Sequence, residues 1–265
     1  MTLFSCKALE RRANGRTLLG PLDLTIEPGR IIAILGHNGS GKSTLLKALA
    51  RQESPDAGDI RFLGRAIRTW SARDFARKLA WLPQNPTAAP GMTLHDLVGL
   101  GRFPWHGLLG QRSTQDRIAC DEAMALTGTS AFADQLDDTL SGGERQRGWI
   151  AMLLAQGAEV MLLDEPVSAL DIAHQVEVME LLRRLNRQRG ISVIMVLQDL
   201  NLAMGWCDEA IALHGGRLAA HSPIEELHDA GLLKRLYGLE MEAITWRGSR
   251  LMMPRRFFES ETATP

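Results

Sequence analysis

Residues 36 to 43 read Gly36-His37-Asn38-Gly39-Ser40-Gly41-Lys42-Ser43, which fits G-x-x-x-x-G-K-[ST] without mismatch. Glycine at 36, 39 and 41 permits backbone angles that turn successive N–H groups toward an anion, where a Cβ would block close approach. A helix opening near Lys42 adds the positive end of its dipole, roughly half an elementary charge. Lys42 is expected to reach the β- and γ-phosphates of a nucleoside triphosphate, and the Ser43 hydroxyl to hold Mg²⁺. The expected nucleotide-binding set is Gly36, His37, Asn38, Gly39, Ser40, Gly41, Lys42, Ser43 and Thr44. Of these, His37 is expected on the solvent side of the loop.

Two further stretches carry chemistry. Val160-Met161-Leu162-Leu163-Asp164-Glu165 is four apolar residues followed by two carboxylates. A strand would deliver these acids at its C-terminal edge, where ligands bind in open α/β sheets. Asp164 would help order Mg²⁺, mainly through its water shell, and Glu165 would polarise the water that attacks the γ-phosphate. Leu140-Ser141-Gly142-Gly143-Glu144-Arg145-Gln146-Arg147 places a serine and two glycines at a helix start, a second anion site with no lysine of its own. Taken singly, Ser141 would read as an ordinary helix cap in a glycine-rich turn.

The elements that position these residues follow from the apolar pattern. Residues 31 to 35 are five apolar residues in a row, a strand buried on both faces. Leu22, Leu24 and Ile26 alternate with Asp23, Thr25 and Glu27 as a half-buried antiparallel strand closed at Pro28-Gly29. Strands are expected at 60–63, 79–82, 160–163, 191–197 and 209–213, with a Gly215-Gly216 hairpin after the last. Helices are expected after the phosphate loop and the second glycine pair, and at 71–80, 94–100, 114–127 and 173–188. Residues 128–139 read as a polar loop, and the tail from about Ser249 as a mixed-charge segment that frays at its end. Alternating strands and helices imply a parallel α/β sheet.

Composition narrows the function. The chain has 265 residues, 45% hydrophobic, with a net charge of −1, so no global charge favours nucleic acid or anionic lipid. Cys6, Cys120 and Cys207 form no C-x-x-C and are expected to be buried small hydrophobes in a reducing cytosol. The seven histidines show no ligand-like spacing with Cys or acid support, so a zinc site is not expected. The first residues lack the order of a secretory leader, and the longest apolar runs fall far short of the ~18 residues that would span a bilayer.

In their order, the phosphate loop, the octet from Leu140, Leu162-Leu163-Asp164-Glu165-Pro166 and Ser168-Ala169-Leu170-Asp171 resemble the nucleotide-binding subunits of ABC transporters. The resemblance implies an α/β P-loop NTPase, an ABC-type ATPase with a RecA-like parallel-sheet core. It adds an N-terminal antiparallel β subdomain and an inserted helical subdomain at about 88–155, all in one domain over 1–265. It implies ATP and Mg²⁺ as ligands and a head-to-tail homodimer. Ser141, Gly142, Gly143 and Glu144 of one copy would cap the γ-phosphate held by the other, and Asp171 would cross the interface. Gln84 resembles the glutamine that touches Mg²⁺ and the attacking water, and residues 85–110 the region that docks membrane permease subunits.

Gly36–Gly39, Gly101–Gly107 and Ser168–Gln175 resemble more closely the ATPases of bacterial ferric hydroxamate siderophore importers. These work on the cytoplasmic face of an inner-membrane permease fed by a substrate-binding protein, with no nucleic acid. Similar systems carry haem, vitamin B12 or other ferric chelates. Phe103 and Trp105 are either partner-facing or tucked into the core. Two departures stand out. Where the family has His-Asp after the strand ending near 197, this chain has Gln198-Asp199, which implies slowed hydrolysis and raises an ATP-gated clamp as an alternative. Where an adenine-stacking aromatic is expected, Arg12 and Ala13 stand, and Arg12 either stacks by its guanidinium face or is a solvated surface charge. A DNA- or ribosome-directed ABC protein is the other alternative, but the coiled-coil insertions, tandem halves or basic surfaces of that group are absent.

Overall fold

A computed structural model describes residues 2–86, 89–106 and 111–257. The strands are β1 (Phe4–Ala13), β2 (Arg16–Ile26), β3 (Ile31–Leu35), β4 (Ala57–Phe62), β5 (Arg65–Ala66) and β6 (Leu79–Leu82). They continue with β7 (Val160–Asp164), β8 (Ser192–Val196), β9 (Glu209–His214), β10 (Arg217–Pro223), β11 (Met241–Trp246) and β12 (Ser249–Pro254). The helices are α1 (Lys42–Leu49), α2 (Ala72–Lys78), α3 (Leu94–Leu100), α4 (Phe103–His106) and α5 (Thr114–Thr127). After them come α6 (Gly142–Ala155), α7 (Ile172–Arg189), α8 (Leu200–Trp206) and α9 (Ala230–Tyr237). The chain divides into two compact units, residues 1–64 with 196–265, and residues 65–195.

In the first unit, β1 pairs antiparallel with β2 and with β4, setting Phe4 opposite both Ile26 and Phe62. Leu22, Leu24 and Ile26 are buried on one face, as their alternation predicts. A second sheet pairs β3 parallel with β9, and β9 antiparallel with β10 through the Gly215-Gly216 turn. All five residues of β3 are buried, so its side chains have apolar neighbours on both faces. Cys6, Cys120 and Cys207 are buried, as expected of small hydrophobes.

Residues 249 onward are not all tail. Ser249–Pro254 pairs with β11, and the Asn201 side-chain amide exchanges two hydrogen bonds with the Met252 backbone (3.0 and 2.8 Å). The expected fraying of the final residues lies outside the described residues.

In the second unit, β6 and β7 pair in parallel, with Leu79 opposite Val160 and Leu82 opposite Leu163. Helices α3 to α6 fall within the stretch assigned to an inserted helical subdomain. Thr93 with Asp96 and Ser113 with Asp116 form capping boxes that start α3 and α5. Asp116 is also paired with Arg102 at 2.8 Å. Burial raises its pKa, but the Arg102 and Ser113 hydrogen bonds outweigh this and hold it down at about 2.

Arg102 also donates to the Ala155 carbonyl and lies over the Trp105 ring. Phe103 and Trp105 are each 42% exposed, which decides against the core reading for both. Trp105 Nε1 donates to the Gln156 carbonyl at 2.8 Å, and the Arg77 guanidinium flanks the ring. Their short helix α4 is a second one in a stretch where the sequence suggests only α3. Residues 87–88 and 107–110 of the expected docking segment lie outside the described residues.

Candidate functional site

The phosphate loop leaves β3 at Gly36, whose φ is +143°. A Cβ there would lie 2.2 Å from the Leu213 carbonyl oxygen, so glycine is required by the close approach of β9 as well as by the turn. Gly41 caps α1 with no side-chain hydrogen bond, so its cap leaves the first-turn N–H groups to a ligand. Lys42 is only 6% exposed and donates to the Gly36 and His37 carbonyls at 2.8 and 3.0 Å. Ser40 is fully buried, and its hydroxyl has no hydrogen-bond partner among the described residues. A buried ammonium, an orphaned hydroxyl and an uncapped helix start fit a bound triphosphate. His37 is exposed, as expected, with its ring edge-on to His214 at 5.2 Å.

The Gly215-Gly216 turn does more than close a hairpin. Gly216 N–H donates to the Ser40 carbonyl at 3.1 Å and its own carbonyl accepts from Gly20 N–H at 2.6 Å, so the turn buttresses the phosphate loop. The chain leaves β8 at Leu197, whose N–H bonds to the Ile34 carbonyl at 3.2 Å. Gln198 therefore stands exposed beside the end of β3 that feeds the loop.

In the other unit, β7 ends on Asp164, which is 2% exposed, and Glu165 follows with a φ of +52°. A left-handed non-glycine residue costs of order 1–3 kcal/mol and persists only where its surroundings fix it. Here the Ser168 N–H and hydroxyl both donate to the Glu165 carbonyl, at 3.3 and 3.1 Å. Gln84 Nε2 donates to the Glu165 carboxylate at 2.8 Å, which brings together two of the predicted catalytic residues, 81 positions apart.

The octet opens α6 with a capping box. Ser141 N–H donates to the Glu144 carboxylate at 2.8 Å, and Glu144 N–H to the Ser141 hydroxyl at 3.3 Å. Those Ser141 hydrogen bonds lower the Glu144 pKa. Glu144 thus has a structural partner in its own helix turn, beside the nucleotide role expected of it. Gly142 is exposed and Gly143 buried. Asp171 caps α7, accepting from the His174 N–H at 3.0 Å, and this bond leads the lowering of its pKa.

The ABC transporter family matches residues 19–168, more than half of the chain. This chain belongs to the ABC transporter family. Similar relatives include the achromobactin transport ATP-binding protein CbrD of Dickeya dadantii, 43% identical over 92% of this chain and 91% of that protein. The iron(3+)-hydroxamate import ATP-binding protein FhuC of Bacillus subtilis is 40% identical over 87% and 86%. The hemin import ATP-binding protein HmuV of Streptomyces coelicolor is 39% identical over 96% and 90%. Among solved structures, the dimeric post-hydrolysis state of the cassette MJ0796, bound to ADP and Pi, aligns with a TM-score of 0.72. It is 25% identical and covers 84% of this chain and 99% of that one.

As an ABC transporter ATPase the chain binds and hydrolyses ATP, and its fold is that of the ABC cassettes. Among the described residues no helix is long and apolar enough to cross a membrane. Arg12, weighed as an adenine-stacking residue or a solvated surface charge, pairs with Glu10 at 2.8 Å and has a side chain 62% exposed. The support that Gly216 gives Ser40 had no counterpart in the motifs, because Gly216 lies far along the chain from the loop it holds in place.

Proposed function

We propose that this chain is the ATP-hydrolysing subunit of a bacterial importer of iron(III) chelates, of the hydroxamate type. Two copies would work head to tail on the cytoplasmic face of the inner membrane, beneath permease subunits served by a substrate-binding protein, with no nucleic acid involved. The observation that carries this reading is likeness to the achromobactin and iron(3+)-hydroxamate relatives at 40% identity or more over most of the chain. The hemin relative at 39% favours haem as a second cargo class. An ATPase subunit does not touch its cargo, so the test is the intact complex. Purified with its permease and binding protein, it is expected to raise its ATPase rate with ferric hydroxamates and not with haem. Stimulation by haem alone would overturn the hydroxamate reading.

Within the proposed site, 1–265 acts as one ATP-binding domain. Gly36, His37, Asn38, Gly39, Ser40, Gly41 and Thr44 line the phosphates, and Lys42 holds the β- and γ-oxygens. Ser43, Gln84 and Asp164 are oxygen donors of the hard type that suits Mg²⁺, which when bound would neutralise charge developing on the phosphates. Glu165 orients and polarises the attacking water, with Gln84 fixing its carboxylate. Ser141, Gly142, Gly143 and Glu144 of the second copy close the site, and Asp171 links the two.

Gln198 stands beside the phosphate loop where a histidine is expected. An oriented donor at developing charge is worth ~2.7–4 kcal/mol, and glutamine keeps an amide donor but loses the ring's fixed geometry, so Gln198→His is expected to raise turnover about tenfold. ATP affinity should stay unchanged, because the cradle around Lys42 is untouched. Equal rates for both forms in the intact complex would show that Gln198 does not limit hydrolysis. No measurable turnover with ATP retained would favour the clamp.

A further inference from the structure

Gly143 and Asp171, which the motifs treat as separate features, are joined by one side chain. His174 sits in the first turn of α7, and a Cβ placed on Gly143 would lie 2.2 Å from its Cδ2, 2.7 Å from its Cγ and 2.9 Å from its Nε2. The imidazole therefore lies against the backbone at the start of α6, in space that any other residue at 143 would fill. Gly142, by contrast, has among the described residues only a Leu170 methyl at 3.7 Å from its Cβ position, so their packing does not require glycine there.

The same ring reaches the other way. His174 Nδ1 lies 2.9 Å from the Asp171 Oδ1 that also accepts the His174 N–H at 3.0 Å. A carboxylate oxygen accepts, so in this contact Nδ1 is the donor, and the two His174 contacts lower the Asp171 pKa. Asp171 is 66% exposed at the side chain, against 35% for His174, so the imidazole holds a carboxylate that otherwise stands in solvent.

We propose that His174 is a positioning residue that locks the Gly142-Gly143 amides and the Asp171 carboxylate into one rigid corner, which a second copy of this chain meets as a preformed surface. This rests on the composite-site reading above. A corner set by two ring contacts lowers the ordering that association would otherwise require, so its loss should weaken dimerisation and not nucleotide binding by a single chain.

The test uses the full chain in a Glu165→Gln background, so that ATP persists, and follows ATP–Mg²⁺-dependent dimer formation by analytical ultracentrifugation. His174→Ala is expected to raise the dimer dissociation constant about tenfold, with single-chain ATP affinity and melting temperature unchanged. His174→Asn keeps an amide donor at the distance of Nδ1 and should recover most of the loss. Gly143→Ala must displace the ring, so it should weaken the dimer to a similar degree, and the double variant should be no worse than either single one. Dimerisation of His174→Ala at the parent's concentration, or losses that add in the double variant, would overturn the assignment. Failure of the parent Glu165→Gln chain to dimerise with ATP would instead overturn the composite site, and the inference with it.

Discussion

Replacing Glu165 with glutamine is expected to lower ATP turnover by about 10²- to 10⁴-fold, the range set by loss of a positioned general base. The structure makes this a clean substitution. Glu165 is held by its backbone, through the Ser168 N–H and hydroxyl on its carbonyl, and by the Gln84 amide on its carboxylate at 2.8 Å. A glutamine at 165 retains the carbonyl contacts, and its side-chain oxygen can still accept from Gln84. The left-handed backbone at φ +52° is as tolerable for glutamine as for glutamate. What changes is basicity alone, since an amide does not take a proton from water near neutral pH. Single-chain ATP affinity should stay within about threefold, because the Lys42 cradle keeps its own contacts. Phosphate release and equilibrium ATP binding, measured on the same preparation, separate the two effects. Turnover within threefold of the parent would remove Glu165 from the reaction and leave its strained backbone without a catalytic reason.

The phosphate loop was legible because its demands are local. An unbroken apolar strand, glycines at fixed offsets and a lysine at a helix start all fall within a dozen residues, and β3, Gly36 and Lys42 are placed as that run predicts. Strand β1 was not legible, because register shifts between Cys6 and Leu9 and again before Arg11 and Arg12 break the period-two alternation. The β11–β12 hairpin escaped for a related reason. β11 has no buried residue, so its sequence carries no apolar face to read. Within the site, reading the octet as one anion-binding unit gave Glu144 a role toward the nucleotide and left its local role unstated. Its carboxylate also completes a capping box with Ser141, a role that the spacing of three residues already allows. Gly216 on Ser40, Gln84 on Glu165 and His174 on Gly143 are tertiary contacts between residues 31 to 176 positions apart, and no local pattern encodes them.

Lys42→Ala is expected to weaken ATP binding by about 2–5 kcal/mol, the loss on truncating one partner of a buried hydrogen-bonded charge pair, or roughly 30- to several-thousand-fold in Kd. The lysine is 94% buried in its own loop, and its ammonium donates to the Gly36 and His37 carbonyls. These carbonyls pre-orient the charge before nucleotide arrives, so little ordering remains to be done on binding. Alanine removes the charge and leaves the rest of the cradle in place: the glycine backbone, the Gly216 contact on Ser40 and the uncapped start of α1. Residual affinity should therefore survive, carried by backbone N–H groups and the helix dipole, and it should be more sensitive to the number of phosphates lost than to the base. Comparing ATP, ADP and AMP on both forms tests this directly. The parent should show a steep fall in affinity as phosphates are removed, and the alanine form a shallow one, because the difference between them is the grip of one ammonium on the β- and γ-oxygens. Equal steepness in the two forms would mean that the terminal phosphates are held elsewhere, and that the buried lysine serves only the shape of the loop.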